Sequence, residues 1–462
     1  METNNKSFKK FSQGYTFKIL LLILLVLLLL IPLAMIRGLI NERSRTAASA
    51  EAGIMEAWGS ELVAAGPVIA VPGIRTEEIR TRTERDGDKI DIVTKPFTLI
   101  ITPRELVIGA DFKTEVRKRG IFSVPLFYGD LSLSGNFNPA QALSSVLPNE
   151  EVFLNQAELI IVLSSQKGIR RIEKAEWNGR SLFFQPGNQG FNIASRVDSI
   201  SARYTNKFSG SGIYAALPEF SNNETEFEIS IAIQGGQLVR FLPMGQDTGA
   251  VVSADWASPS FQGSFLPGSS SISNDGFEAA WNISYLSRDI PLHWKIEADG
   301  GRDFSDSLFG VNFFRAVDTY SLNTRAVKYA ILFLIVPFLT LFLLEVFTKK
   351  KIHPVPYLLS GIANVIFYLL VLSLSEQMTF YLAYLIAALA VIILLTLYSR
   401  ALLPSWKKSW YMGLVVTISY VLLYAVLNAE SYAMLIGSIG AFTVVALVMY
   451  LTRKLNWYSG DE

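Results

Sequence analysis

F-K-I-L-L-L-I-L-L-V-L-L-L-L-I-P-L-A-M-I, Phe17–Ile36, is an apolar run with Lys6, Lys9, Lys10 and Lys18 gathered at its start. A helix of this length rises about 30 Å, enough to cross the hydrocarbon layer of a bilayer. A secretory leader shares the layout, but its apolar core is shorter and a small-residue cleavage site follows closely. Here the only small-residue cluster, Ala47–Ala50, lies well past the end of the run. The stretch reads as a retained anchor.

Working outward, five further apolar runs occupy 326–347, 355–375, 378–398, 410–428 and 431–452. Their interiors are almost free of charge. Lys328 and Glu345 are the exceptions, each near a span end where a long side chain can snorkel. The short links make these helices antiparallel neighbours. Lys349–Lys351, then Arg400, Lys407 and Lys408, then Arg453 and Lys454 follow alternate spans, whereas the links around Glu376 and Glu430 contain no basic residue. Six spans place every basic cluster with the N-terminal lysines, so both termini are expected in the cytoplasm.

Composition agrees. Half of the 462 residues are hydrophobic, and the net charge of +1 conceals two populations. Residues 37–325 hold 28 basic and 34 acidic side chains, a net of −6, and the remainder carries +7. No strongly basic stretch lies outside the membrane flanks, which argues against a nucleic-acid partner. The absence of Cys excludes disulfides, thiolate metal sites and a thiol nucleophile, and two His, at 293 and 353, leave no histidine-rich metal site.

Between the first two spans, Ile54, Trp58 and Leu62 keep a helical spacing, giving a short helical lead-in. The period then switches to two. Lys89–Lys95 reads K-I-D-I-V-T-K, Phe97–Thr102 is a continuous apolar strand, and Glu224–Ile233 alternates acidic or polar residues with Phe and Ile. Asp86-Gly87, Asn178-Gly179 and Gly235-Gly236 have the residue types of hairpin turns. About a dozen strands are expected, in a large, mainly antiparallel β-sandwich, with a possible division into two lobes at 136–150.

The fold class is thus an α+β membrane protein. Its expected parts are a cytoplasmic N-terminus (1–16), a first transmembrane helix (17–36) and a periplasmic β-rich domain (37–325). A five-helix transmembrane bundle (326–452) and a cytoplasmic C-terminus (453–462) complete it.

No phosphate loop, dinucleotide-binding glycines, nucleophile elbow or metal-ligand spacing is present. His293, between Leu292 and Trp294, reads as structural, and His353, before Pro354, as a helix-start residue. Segment 247–294 mixes acids with aromatics, and Asp255, Trp256, Trp281 and Trp294 are the candidate glycan-binding residues. A carboxylate pair beside such rings would suit a glycan-active enzyme, but strand alternation produces the same mixture in an ordinary core, and no enzyme is predicted. In the bundle the polar residues are Asn364, Tyr368, Tyr384, Tyr420, Tyr424 and Thr443, with Tyr420, Tyr424 and Asn428 spaced four apart. Such a stripe lines a solute path in a carrier, and more often joins helices. Pro337 sits midway along the second span. On the outer side, Glu376 and Glu430 face Arg37, Arg325 and Lys328, a charge set that would dock the bundle against the domain; if exposed, each pair contributes only about 0–1 kcal/mol.

Several segments resemble the inner-membrane protein CreD family of bacterial envelope proteins. They are Trp58-Gly59 with G-P-V-I-A-V-P at Gly66–Pro72, R-K-R-G-I-F-S-V-P-L-F-Y at Arg117–Tyr128, and F-G-V-N-F-F-R-A-V-D-T-Y at Phe309–Tyr320. R-A-V-K-Y-A-I-L-F at Arg325–Phe333, I-H-P-V-P-Y-L-L at 352–359 and L-S-L-S-E-Q at 372–377 continue the match. E-S-Y-A-M-L-I-G-S at 430–438 and M-Y-L-T-R-K-L-N-W-Y at 449–458 complete it. Gln377 departs from an expected His, which weakens any proton or metal role at that link, and Pro337 is also atypical. The resemblance implies an inner-membrane protein tied to envelope integrity, stress response and colicin tolerance. It implies no catalytic residue and no cofactor. Partners expected are the lipid bilayer and, in the periplasm, envelope proteins or glycans. The rival readings are a transporter or lipid carrier built on the bundle, and a glycan-active periplasmic enzyme.

Overall fold

The computed structural model describes residues 15–83, 87–187, 193–194, 211–297, 302–313, 319–348, 350–403, 406–429 and 432–453. The chain divides into two compact units, Ser49–Ala316 and the remainder.

The leucine-rich anchor and the lead-in join into one helix, α1, Tyr15–Trp58. No glycine pair or special turn interrupts the chain between them, so the helix runs on from the anchor into the lead-in. The helix ends at Gly59, whose φ of +147° suits a residue without Cβ and whose N–H closes onto the Met55 carbonyl.

The β unit contains four long strands, β1 (Leu62–Thr83), β2 (Gly87–Ile101), β3 (Glu105–Arg119) and β4 (Phe122–Phe137). The two runs read separately around residues 89–102 are one strand, β2. A ten-stranded sheet is built around β1, which pairs antiparallel with β2 and with Glu158–Leu163 but parallel with Leu238–Leu242. An eight-stranded sheet is built around β3 and β4, flanked by Asp247–Ala254, parallel to β3, and by Thr225–Gly235, antiparallel to β4.

The two sheets share one core. Phe309 of the first sheet packs at a tilt on Trp281 of the second, with ring centroids 5.4 Å apart, and Phe313 lies against Phe112 and Phe127. The expected alternation is clean in Thr225–Gly235, where Phe227, Ile229, Ile231 and Ile233 are buried and the residues between them are not. Twenty strands are described, more than the dozen expected, because many are two to four residues long and leave no readable period.

No lobe boundary occurs at 136–150. That stretch forms the short helix α2, Ala140–Ser144, which delivers Ala142 into the same core. Asn178-Gly179 turns as expected, with φ of 48° and 73°. Gly235-Gly236 does not make a hairpin: it carries the chain from one sheet to the other. Asp86 lies outside the described residues.

The other unit continues with α3 (Thr319–Thr348), α4 (Pro354–Ser375), α5 (Phe380–Leu402), α6 (Trp406–Asn428) and α7 (Ala433–Thr452). With α1 these make six helices, among the described residues, long and apolar enough to cross a membrane. Helices α3 to α6 pack together around one core, whereas α7 contacts α6 and has no buried residue. His353 accepts the Val355 N–H ahead of α4, the helix-start role expected of it.

Candidate functional site

The residues that could act are polar groups in apolar surroundings, and the bundle places them in three layers. The first joins α1, α3 and α4. Glu345 is 6% exposed. Lys18 Nζ forms an ion pair with its carboxylate and also donates to the Ile352 carbonyl at 2.8 Å. The Tyr357 hydroxyl donates to Glu345 Oε2 at 2.8 Å. The expected snorkelling of Glu345 is therefore incorrect: the link after α3 returns α4 so closely that Tyr357 covers the carboxylate. Lys328 does remain exposed, 5.9 Å from the Tyr329 ring centroid.

The middle layer begins with Pro337 of α3. Lacking an N–H, this proline leaves the carbonyl of Phe333, four residues earlier, without its helical donor. Asn364 Nδ2 of α4 fills the vacancy at 2.9 Å. The Tyr420 hydroxyl of α6 then donates to Asn364 Oδ1 at 2.7 Å, and the Tyr384 hydroxyl of α5 donates to the Tyr420 carbonyl at 2.6 Å. The Asn364 amide thus joins three helices, α3, α4 and α6, and Tyr384 adds α5 through the Tyr420 carbonyl. Tyr368 is buried beside them, and its hydroxyl has no partner among the described residues. The stripe of Tyr420, Tyr424 and Asn428 does not line one path: Tyr420 is buried and Tyr424 faces outward. Thr443 is exposed on α7 and returns its hydroxyl to the Ile439 carbonyl. Tyr420→Phe is expected to destabilise the bundle by about 0.6 kcal/mol, and by no more than about 1.7, the range for interhelical hydrogen bonds in membranes. Unfolding in mixed micelles measures it, and a larger loss would mean the hydroxyl supports more than Asn364.

In the third layer, Asn323 Nδ2 donates to Ser375 Oγ at 3.0 Å, and Glu376 accepts Arg43 Nη2 at 2.8 Å and the Tyr320 hydroxyl at 3.2 Å. Glu376 was matched in sequence with Arg37, Arg325 and Lys328, and Arg43 is the cation found on it. Arg43 is six residues beyond Arg37, a difference that matters only because α1 continues as helix. Arg37 is exposed and Arg325 half-buried. Glu430 lies outside the described residues.

In the β unit, the aromatic candidates belong to the core. Trp281 is buried and its Nε1 donates to the Phe265 carbonyl at 3.1 Å; Trp294 is buried against Phe304. Trp256 packs edge-on to Phe313, and Asp255 accepts the Thr114 N–H at 2.6 Å. Neither buried ring presents a platform to a sugar. His293 is half-buried in the strand His293–Ile296. Among the described residues no three of His, Cys, Asp and Glu are placed to hold a metal ion.

Two ion clusters were not foreseen. The Glu150 side chain is fully buried and accepts Arg75 Nε at 2.9 Å, the Lys295 ammonium, and the Leu147 N–H at 2.9 Å. Burial pushes this carboxyl up, but the N–H and the two cations outweigh it and hold it down at about 2. Glu61 lies 3.7 Å from Arg240; burial raises the first and lowers the second, so each is held less firmly charged.

Six membrane-length helices, with a β-sandwich in the chain between the first and second, define a multi-pass α+β membrane protein. The family model described as "Inner membrane protein CreD" matches residues 14–458, and the chain belongs to that family. It is similar to the Inner membrane protein CreD of Escherichia coli (strain K12), 29% identical over 434 residues that cover 93% of this chain and 90% of that protein. It is accordingly a multi-pass inner-membrane protein in contact with the lipid bilayer.

Proposed function

We propose that this protein maintains cell-envelope integrity under envelope stress, and that its β domain, displayed in the periplasm with both termini in the cytoplasm, does so by binding or scaffolding. The observation that carries this reading is a contrast between the two units. The polar groups inside the bundle are mostly spent on one another, as Asn364 and Tyr420 are, which leaves little to coordinate a passing solute. The β domain closes its own core, and its sequence holds most of the chain's charged residues.

A deletion strain given a chain ending at Ala316, where the compact β unit closes, tests the reading. Restored resistance to envelope-damaging agents, with membrane insertion verified by blot, is the expected result. A folded, inserted but inactive chain would make the five-helix bundle indispensable and favour transport or membrane sensing.

A further inference from the structure

The outward face of the eight-stranded sheet carries a groove of about 460 Å³, within the range of small-ligand sites. Asp111 and Lys113 of β3, Tyr128 and Asp130 of β4, and Arg170, Arg171 and Glu173 of the strand Ile169–Trp177 form its walls, and the short Ala232 leaves its middle open. The strand register sets Asp111 directly opposite Asp130, and Lys113 directly opposite Tyr128.

Like charges directly opposed across two strands have Cβ atoms about 5 Å apart and destabilise a sheet. The neighbours do little to relieve this. Asp111 accepts the Ser253 hydroxyl at 2.6 Å, and Asp130 has Arg171 nearby, itself hydrogen-bonded to Glu173. Among the described residues, neither Lys113 nor Arg170 forms an ion pair; Arg170 lies 5.8 Å from the Tyr128 ring centroid. A doublet of carboxylates and two cations that form no ion pair among the described residues thus share one groove. A ligand that satisfies both must carry a positive and a negative group a few bonds apart.

We propose that this groove binds a small zwitterion. Its ammonium sits between Asp111 and Asp130, its carboxylate or phosphate meets Lys113 and Arg170, and its body lies against the Tyr128 ring. The chemistry has two sources, the free termini of a short peptide and a phosphoethanolamine headgroup. The inference rests on the reading that the domain acts by binding, and it names the ligand class.

Equilibrium dialysis of the full chain in phosphatidylcholine nanodiscs, which offer no primary ammonium, tests it. The probes are radiolabelled alanylalanine and glycerophosphoethanolamine, with N-acetylalanylalanine and alanylalanine amide as singly charged controls. Saturable retention of at least one zwitterion is expected, with the controls at least about tenfold weaker, the effect of one charge-assisted contact. Which zwitterion is retained identifies the source. The double variant Asp111→Asn, Asp130→Asn should bind about tenfold more weakly while its β domain melts at a higher temperature, because the repulsion is gone. No saturable retention of either zwitterion, equal binding of the controls, or an unaltered affinity in the double variant would overturn the proposal. Such a result alongside restored resistance from the Ala316-terminated chain would leave the function proposed above standing.

Discussion

Lys18→Met destabilises the helix bundle by about 3–5 kcal/mol, the cost of leaving one partner of a buried ion pair uncompensated. Among the described residues Glu345 then retains only the Tyr357 hydroxyl, and its charge is left largely uncompensated in apolar surroundings. Glu345→Gln alone should cost less, because Lys18 sits at the end of α1, keeps the Ile352 carbonyl and can extend. The double replacement Lys18→Met, Glu345→Met should recover most of the loss, since apolar residues of similar volume often replace a buried pair without penalty. The chain has no cysteine, so Ser360→Cys, buried in α4, supplies a single thiol whose labelling rate reports bundle opening. If all three variants open at the wild-type rate, the pair contributes nothing and the packing of α1 on α3 suffices.

The second large effect belongs to the β unit. Glu150→Gln should destabilise it by about 3 kcal/mol, because Arg75 and Lys295 lose their shared anion inside the sheet. The pH dependence follows from the carboxyl, held at about 2 when folded against an ordinary 4.5. A lowered folded value adds stability that is complete above the unfolded value and disappears as pH falls from about 4.5 toward 2. Wild type should therefore lose stability more steeply across that window than Glu150→Gln, the two curves converging in acid. Near-UV circular dichroism of the buried Trp177 and Trp281 follows this unit. Parallel curves would place the acid sensitivity in another carboxylate.

What could be read in advance follows the range of the physics. The spans and the alternation at Phe227, Ile229, Ile231 and Ile233 are set by neighbours within a few residues, and the sequence displays them directly. The Lys18–Glu345 pair joins residues 327 positions apart, and Arg75, Glu150 and Lys295 meet only when three separate strands assemble. A hint existed in the first case: opposite charges stood at the same end of two spans, as the basic-cluster rule orders them. The glycan reading of Trp281 and Trp294 failed for the opposite reason. Alternation brings aromatics and acids together in sequence while sending them to opposite faces of a strand.

Pro337 and Asn364 also bear on how the chain can change over time. A descendant that loses the proline regains an N–H at 337 and makes the amide of Asn364 redundant. One that loses Asn364 first leaves a carbonyl dry in hydrocarbon. The order of the two substitutions is therefore constrained, with the proline going first. The pair should be inherited together or relinquished in that sequence.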